Sequence, residues 1–147
     1  MAELRLVFVV GEASGDTLAA AMVDGIRAQG HDVTLSGIGG ARLQERGLNA
    51  VCPMESLTVL GVGQALAAVP RLNRLADELI AHVIETRPDA IITVDSKGFN
   101  LRFARRLRAR MKGVSAATPP PINCLIPAPG TPPLSLPHAK ILSANAV

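Results

Sequence analysis

The chain has 147 residues, 48% hydrophobic and 18% charged, with a formal net charge of +3. That is length enough for one domain with a real core, in a composition that excludes disordered and fibrous classes. No apolar run approaches the roughly 20 residues of a membrane span, aromatic residues at 2% speak against base-stacking nucleic-acid binding, and Cys52 and Cys124 are too few for a disulfide scaffold or zinc site.

Met1–Arg5 is too short a lead to read as a secretion signal, and sparse cysteine makes a reducing compartment the default. Residues 4–10 read as a first strand. Its run Leu6-Val7-Phe8-Val9-Val10 suits a strand covered on both faces, as in a parallel sheet. Gly11-Glu12-Ala13-Ser14-Gly15-Asp16 is then a tight turn opening a helix over 16–29, with Ser14 or Asp16 as its cap and Gly30 as its stop. Residues 32–36 form a second strand, ending in Gly37-Ile38-Gly39-Gly40. A short helix over 41–46 closes at Gly47, and 48–52 suits a third strand. Residues 69–86 are an amphipathic helix, with Leu72, Leu75, Leu79, Ile80 and Val83 on one face. Pro88-Asp89 ends it, 90–94 is another buried strand, and Asp95-Ser96-Lys97-Gly98-Phe99-Asn100 leads into a helix reaching about residue 112. Strands alternating with helices predict an α/β fold with a doubly wound, Rossmann-like parallel sheet and right-handed crossovers.

After Lys112 the composition changes. Eight of the eleven prolines fall in 113–147, where Lys140 and the partly titratable His138 are the only side chains that carry charge. Ile122–Ile126 suits one more strand; the rest reads as an irregular tail. The expected organisation is a domain over 1–112 and a proline-rich segment over 113–147, truncated or out of frame.

Asp16 and Asp95 stand where parallel strands end, the edge at which open α/β sheets bind ligands. Each fits two roles: capping a helix, or meeting sugar hydroxyls and deprotonating one. The glycines of 37–40 suit close backbone approach or simple turns. The opening turn is not G-x-G-x-x-G and no Walker lysine is present, which lowers the case for a nicotinamide cofactor or nucleotide hydrolysis. The stretch from Leu57 to Val69 is apolar on nearly every side, as a core segment or a surface for acyl chains and membrane is. Arg102, Arg105, Arg106, Arg108, Arg110 and Lys112 form either a solvated helix face or a grip for phosphates and anionic headgroups. His31, His82 and His138 have no metal-site spacing, and His82 reads as a surface residue.

Four segments in order, Val10-Gly11-Glu12-Ala13-Ser14-Gly15-Asp16, Gly37-Ile38-Gly39-Gly40, Leu57-Thr58-Val59-Leu60-Gly61 and Asp95-Ser96-Lys97-Gly98-Phe99-Asn100, resemble the lipid-A-disaccharide synthase family. The likeness spans about 4–112. It implies the amino-terminal, acceptor-binding half of a GT-B glycosyltransferase. That family moves 2,3-diacylglucosamine from UDP-2,3-diacylglucosamine to 2,3-diacylglucosamine 1-phosphate, with inversion to a β-1,6 link, and needs neither metal nor cofactor. The resemblance implies substrate contacts at Gly11, Glu12, Ser14, Gly15, Asp16, Gly39, Gly40 and Asn100. It implies acyl-chain or membrane contacts at Leu57, Val59, Leu60, Val62 and Leu66, and an anionic membrane surface as partner.

Family members commonly carry a second aspartate in the last of these loops, where this chain has Gly98; the resemblance then implies that Asp95 fills the role of catalytic base or orders the loop. The expected place is cytoplasmic and peripheral on the inner membrane for a bacterial chain, organellar for a plant-like one. The family's sequences are more than twice as long, so this chain alone is expected to be inactive. The competing readings are a non-catalytic module for acylated sugar phosphates or membrane surface, and another α/β sugar-nucleotide enzyme; nucleic acid is not an expected partner.

Overall fold

The structure, a computed structural model, describes residues 3–57, 62–94, 97–111 and 122–126, with the backbone alone at 62–66, 97–98, 100–101 and 122–126. Five parallel strands stand in the order β3-β2-β1-β4-β5, where β1 is Glu3–Val10, β2 Asp32–Ile38, β3 Asn49–Ala50, β4 Ala90–Val94 and β5 Ile122–Ile126. The connecting helices are α1 (Ala13–Ala28), α2 (Ala41–Gln44), α3 (Val62–Thr86) and α4 (Lys97–Met111), with a 3-10 turn at Met54–Leu57. The chain builds outward from β1 through β2 to β3, then returns to the other side of β1 for β4 and β5. The order therefore reverses between β1 and β4, which opens a crevice at their carboxyl ends.

The two-residue period of a strand divides the core. Leu6, Phe8 and Val10 of β1 join Ile92 and Val94 of β4 on one face, under Ala19 and Val23 of α1 and Leu43 of α2. Val7, Val9 and Ile91 take the other face, under Ala76, Leu79, Ile80 and Val83 of α3 and Phe99, Phe103 and Leu107 of α4. The helical rows repeat every three or four residues, as an apolar stripe against a sheet requires. Helices on both faces are why the first strand carries no polar residue from Leu6 to Val10.

Several boundaries differ from expectation. α1 begins at Ala13, with Glu12 as its extended N-cap residue and no side-chain capping bond there, so Ser14 and Asp16 lie inside the first turn and do not cap it. α3 begins at Val62, seven residues before the expected start, and runs through Pro70. A proline suits the first turn of a helix, but in the interior it removes one backbone donor, and the stripe packed on the sheet outweighs that loss. β3 is confined to two exposed residues beside Ser36 and Gly37, because Leu48 before it turns into the core. β5 falls where the sequence places it, at Ile122–Ile126, and pairs with β4 over its whole length, from Ala90↔Ile122 to Val94↔Ile126.

Half of the basic run on α4 is partnered by side chains of α3. Arg102 Nη1 donates to Asn73 Oδ1 at 3.1 Å, and Arg106 holds the Asp77 carboxylate at 2.8 and 2.9 Å through Nη2. Arg110 approaches the same carboxylate at 3.6 Å. Successive turns of α4 are thus stapled to successive turns of α3. These groups are about two-fifths exposed or more, so the staple orients more than it stabilises.

Phe103 is fully buried and stacks on Phe99 at a ring separation of 6.2 Å. Phe103→Ala is expected to lower unfolding free energy by about 3–5 kcal/mol, and Asp77→Ala by about 1 kcal/mol or less, in urea denaturation followed by circular dichroism.

Candidate functional site

Two loops meet at the carboxyl edge of the sheet. Gly11–Asp16 leaves β1, with Gly11, Gly15 and Asp16 buried and Glu12 and Ser14 exposed. Gly39-Gly40 leaves β2, both residues buried, and enters α2. The loop after β4 completes the edge in sequence, but Asp95 lies outside the described residues, and Asn100 is placed in the first turn of α4 by its backbone only.

Asp16 joins the two loops. It occupies the buried row Asp16, Ala19, Ala20, Val23 of α1, a core position for a side chain that ordinarily ionises, and is 4% exposed. A buried carboxylate needs partners. One oxygen accepts the N–H of Gly40 at 2.9 Å and that of Leu43 at 3.3 Å; the other accepts the N–H of Arg42 at 2.9 Å. Those donors belong to the first turn of α2, which no side chain of its own caps. Sequence reasoning offered Asp16 as cap of its own helix or as a ligand contact. It is instead the cap of a different helix, supplied across the loop. A negative charge is favourable there because the free N–H groups and the aligned peptides present positive charge.

The glycines fit this clamp. A Cβ on Gly40 would lie 2.7 Å from Asp16 Oδ2 and 2.8 Å from Cγ, so any side chain there would push the carboxylate away. Gly37 sits at φ +119°, and a Cβ on it would collide with the backbone carbonyl of Phe8. The run from 37 to 40 is therefore required by close approach at both ends, beyond what a simple turn needs.

Of the apolar stretch, Leu57 is buried in the cluster under α3, which is the core reading for that residue. Val59 and Leu60 lie outside the described residues, and Val62 and Leu66 are placed in α3 by backbone only. Met54, just before Leu57, touches the cores on both faces. His82 is not the surface residue expected: it is half-buried, with Nε2 2.8 Å from Ser36 Oγ of β2. The signal is its place three residues after the buried Leu79, on the flank of the helix's apolar stripe. Cys52, beside β3, has its thiol pushed up, first by burial and then by Glu78, against a hydrogen bond with Ser56 that lowers it.

The sequence matches the family model for lipid-A-disaccharide synthetase over residues 6–114. It is 40% identical to the lipid-A-disaccharide synthase of Pseudomonas aeruginosa strain LESB58 over 105 residues, which is 71% of this chain and 28% of that protein. The synthase of Chromobacterium violaceum is 42% identical over 105 residues, 71% of this chain and 27% of its own length. That of Myxococcus xanthus is 40% identical over the same length and share. The chain thus spans under a third of the curated relatives it matches.

Asp16→Ala strands buried N–H groups at the start of α2 and is expected to cost about 2–4 kcal/mol in urea unfolding. For Cys52 the sign runs with protonation: the folded thiol holds its proton more tightly than the unfolded one, so its contribution to stability is present below the ordinary thiol range and is lost as pH rises through the folded value. Peptide-mapped iodoacetamide labelling at pH 8 is expected to be slower at Cys52 in the folded chain than in urea.

Proposed function

The chain belongs to the lipid-A-disaccharide synthetase family, and we propose that it forms the lipid-acceptor side of an inverting glycosyl transfer. The reaction takes 2,3-diacylglucosamine from UDP-2,3-diacylglucosamine to the 6-hydroxyl of 2,3-diacylglucosamine 1-phosphate, giving a β-1,6 disaccharide and UDP. The observation that carries this reading is the clamped pair of glycine loops at the strand-order reversal, in a chain that matches the family from 6 to 114.

In this reading Gly11, Gly15 and Gly39 let the backbone approach the sugar phosphate, Gly40 shapes the same loop while its own N–H stays on Asp16, and Glu12 and Ser14, exposed on the same edge, meet its hydroxyls. Asn100 contributes from the first turn of α4. Asp95 takes the proton of the 6-hydroxyl as its oxygen attacks the anomeric carbon. The bond to UDP breaks on the opposite side, and the electron pair leaves on the diphosphate oxygen. A carboxylate is the right group, since the hydroxyl needs a base only as charge develops on it. No step calls on a cofactor.

The acyl chains are assigned to the apolar segment from Val59 to Leu66, which follows the buried Leu57 in sequence. Among the described residues no helix is long and apolar enough to cross a membrane. The acyl chains of the acceptor put the protein at a membrane surface in this reading, with the exposed Arg71, Arg74 and Arg105 toward anionic headgroups on the cytoplasmic side.

Isothermal titration of the chain with a water-soluble, short-acyl 2,3-diacylglucosamine 1-phosphate is expected to show saturable binding, with none for UDP alone; binding of UDP without the acceptor would reverse the assignment. Replacing the aspartate that matches Asp95 by asparagine in a full-length relative is expected to lower kcat by about 10²-fold or more; unchanged turnover excludes it as base.

A further inference from the structure

We infer that Asp16 is a positioning residue: its carboxylate makes the loop after β1 and the loop after β2 one mechanical unit, so that a ligand held by either loop is presented to both. The inference rests on the acceptor-binding reading for the identity of that ligand, and on the geometry alone for the unit itself.

Away from the loops, α1 and α2 are held by Leu43 packing with Ala19 and Val23 and by the Arg46–Asp24 ion pair at 2.7 Å; at the loops the tie is Asp16. Gly11–Asp16 and Gly37–Gly40 are more than 20 residues apart in sequence, and β1 and β2 are paired only to Val9↔Ile38. Beyond that pair the ladder stops, and at the loops themselves the link is the three bonds from Gly40, Arg42 and Leu43 to one side chain. Asp16 is itself fixed from behind, since its N–H donates to Glu12 O at 3.0 Å and its row packs on the sheet through Ala19 and Val23. A shift of Gly39-Gly40 thus transmits through the carboxylate into the turn that carries Glu12 and Ser14.

The clamp also leaves Asp16 poorly placed to serve a ligand. Both of its oxygens already accept backbone N–H groups, and the side chain is buried. Its influence on binding acts through the loops it joins. Gly40 is the matching half: a Cβ there meets Asp16 Oδ2, so Gly40→Ala disturbs the same contact from the opposite side without altering the charge.

The experiment compares the full 147-residue chain with Asp16→Ala, Asp16→Asn, Gly40→Ala and the Asp16→Ala/Gly40→Ala double variant, at a temperature where circular dichroism shows each folded. Amide exchange is measured with and without 2,3-dibutyrylglucosamine 1-phosphate, and affinity by titration. In Asp16→Ala, exchange is expected to accelerate in 11–15 and 39–43 together, with affinity falling about tenfold or more, the scale on which misplaced contacts act. Asp16→Asn, which keeps one acceptor oxygen, falls between. Gly40→Ala weakens binding in the parent but adds less than about twofold in the Asp16→Ala background, because coupled sites are not additive. In the parent the probe protects both loops; in Asp16→Ala it protects at most one.

Faster exchange confined to one loop, or a folded Asp16→Ala that binds as tightly as the parent, overturns the inference. If the parent binds no probe, the acceptor reading fails by itself, and the exchange comparison alone decides whether the loops are one unit.

Discussion

A single buried carboxylate ties together the two glycine loops at the carboxyl edge of the sheet. Asp16 stands in a row of α1 that is otherwise alanine and valine, and it is tolerated there because α2 begins within reach and lacks a cap of its own. Each side resolves the other's cost: the charge finds donors, and the orphan N–H groups find an acceptor. Gly40 stays bare because the carboxylate fills the space a side chain would take. The two glycine-rich segments, separate in sequence, are in this sense one piece of structure.

That piece sits on a frame designed to hold it still. β1 is the central strand, paired with β2 and β4 and covered by helices on both faces, and it delivers Gly11 to the point where strand order reverses. Behind it, α3 and α4 share a core around Phe99, Phe103 and Leu107 and are held in register by Arg102, Arg106 and Arg110. α3 begins within the apolar segment and α4 begins at the loop that follows Asp95, so the staple between them also fixes the spacing of those two starts. The arginines that look like an anion grip in sequence are for the most part a brace.

Periodicity made the frame legible. The apolar runs of β1 and β4 and the three-and-four spacing of α3 follow directly from burial on a parallel sheet. Position 62 as the start of α3 was not legible, because a continuous apolar run looks alike as a helix, a strand or a surface, and Pro70 argues for a later start than packing permits. β3 was read too long because edge strands carry little hydrophobic signal. Asp16 was found as a residue of interest but not for its actual partner. The spacing Asp16, Ala19, Ala20, Val23 marks it as inward-facing, yet nothing local says that the N–H groups it needs come from residues 40, 42 and 43. Contacts across more than 20 residues are set by the sheet's topology, which sequence pattern constrains only in class.

In the proposed complex, the sugar-phosphate end of a lipid acceptor lies against both glycine loops while Asp16 stays locked to α2. A crystal structure of the chain with a short-acyl 2,3-diacylglucosamine 1-phosphate tests it most directly. The predicted result is a headgroup in contact with Gly11–Gly15 and Gly39-Gly40, with the three N–H bonds to Asp16 intact. A headgroup bound elsewhere, or an Asp16 carboxylate released from α2 and turned onto the ligand, would contradict it.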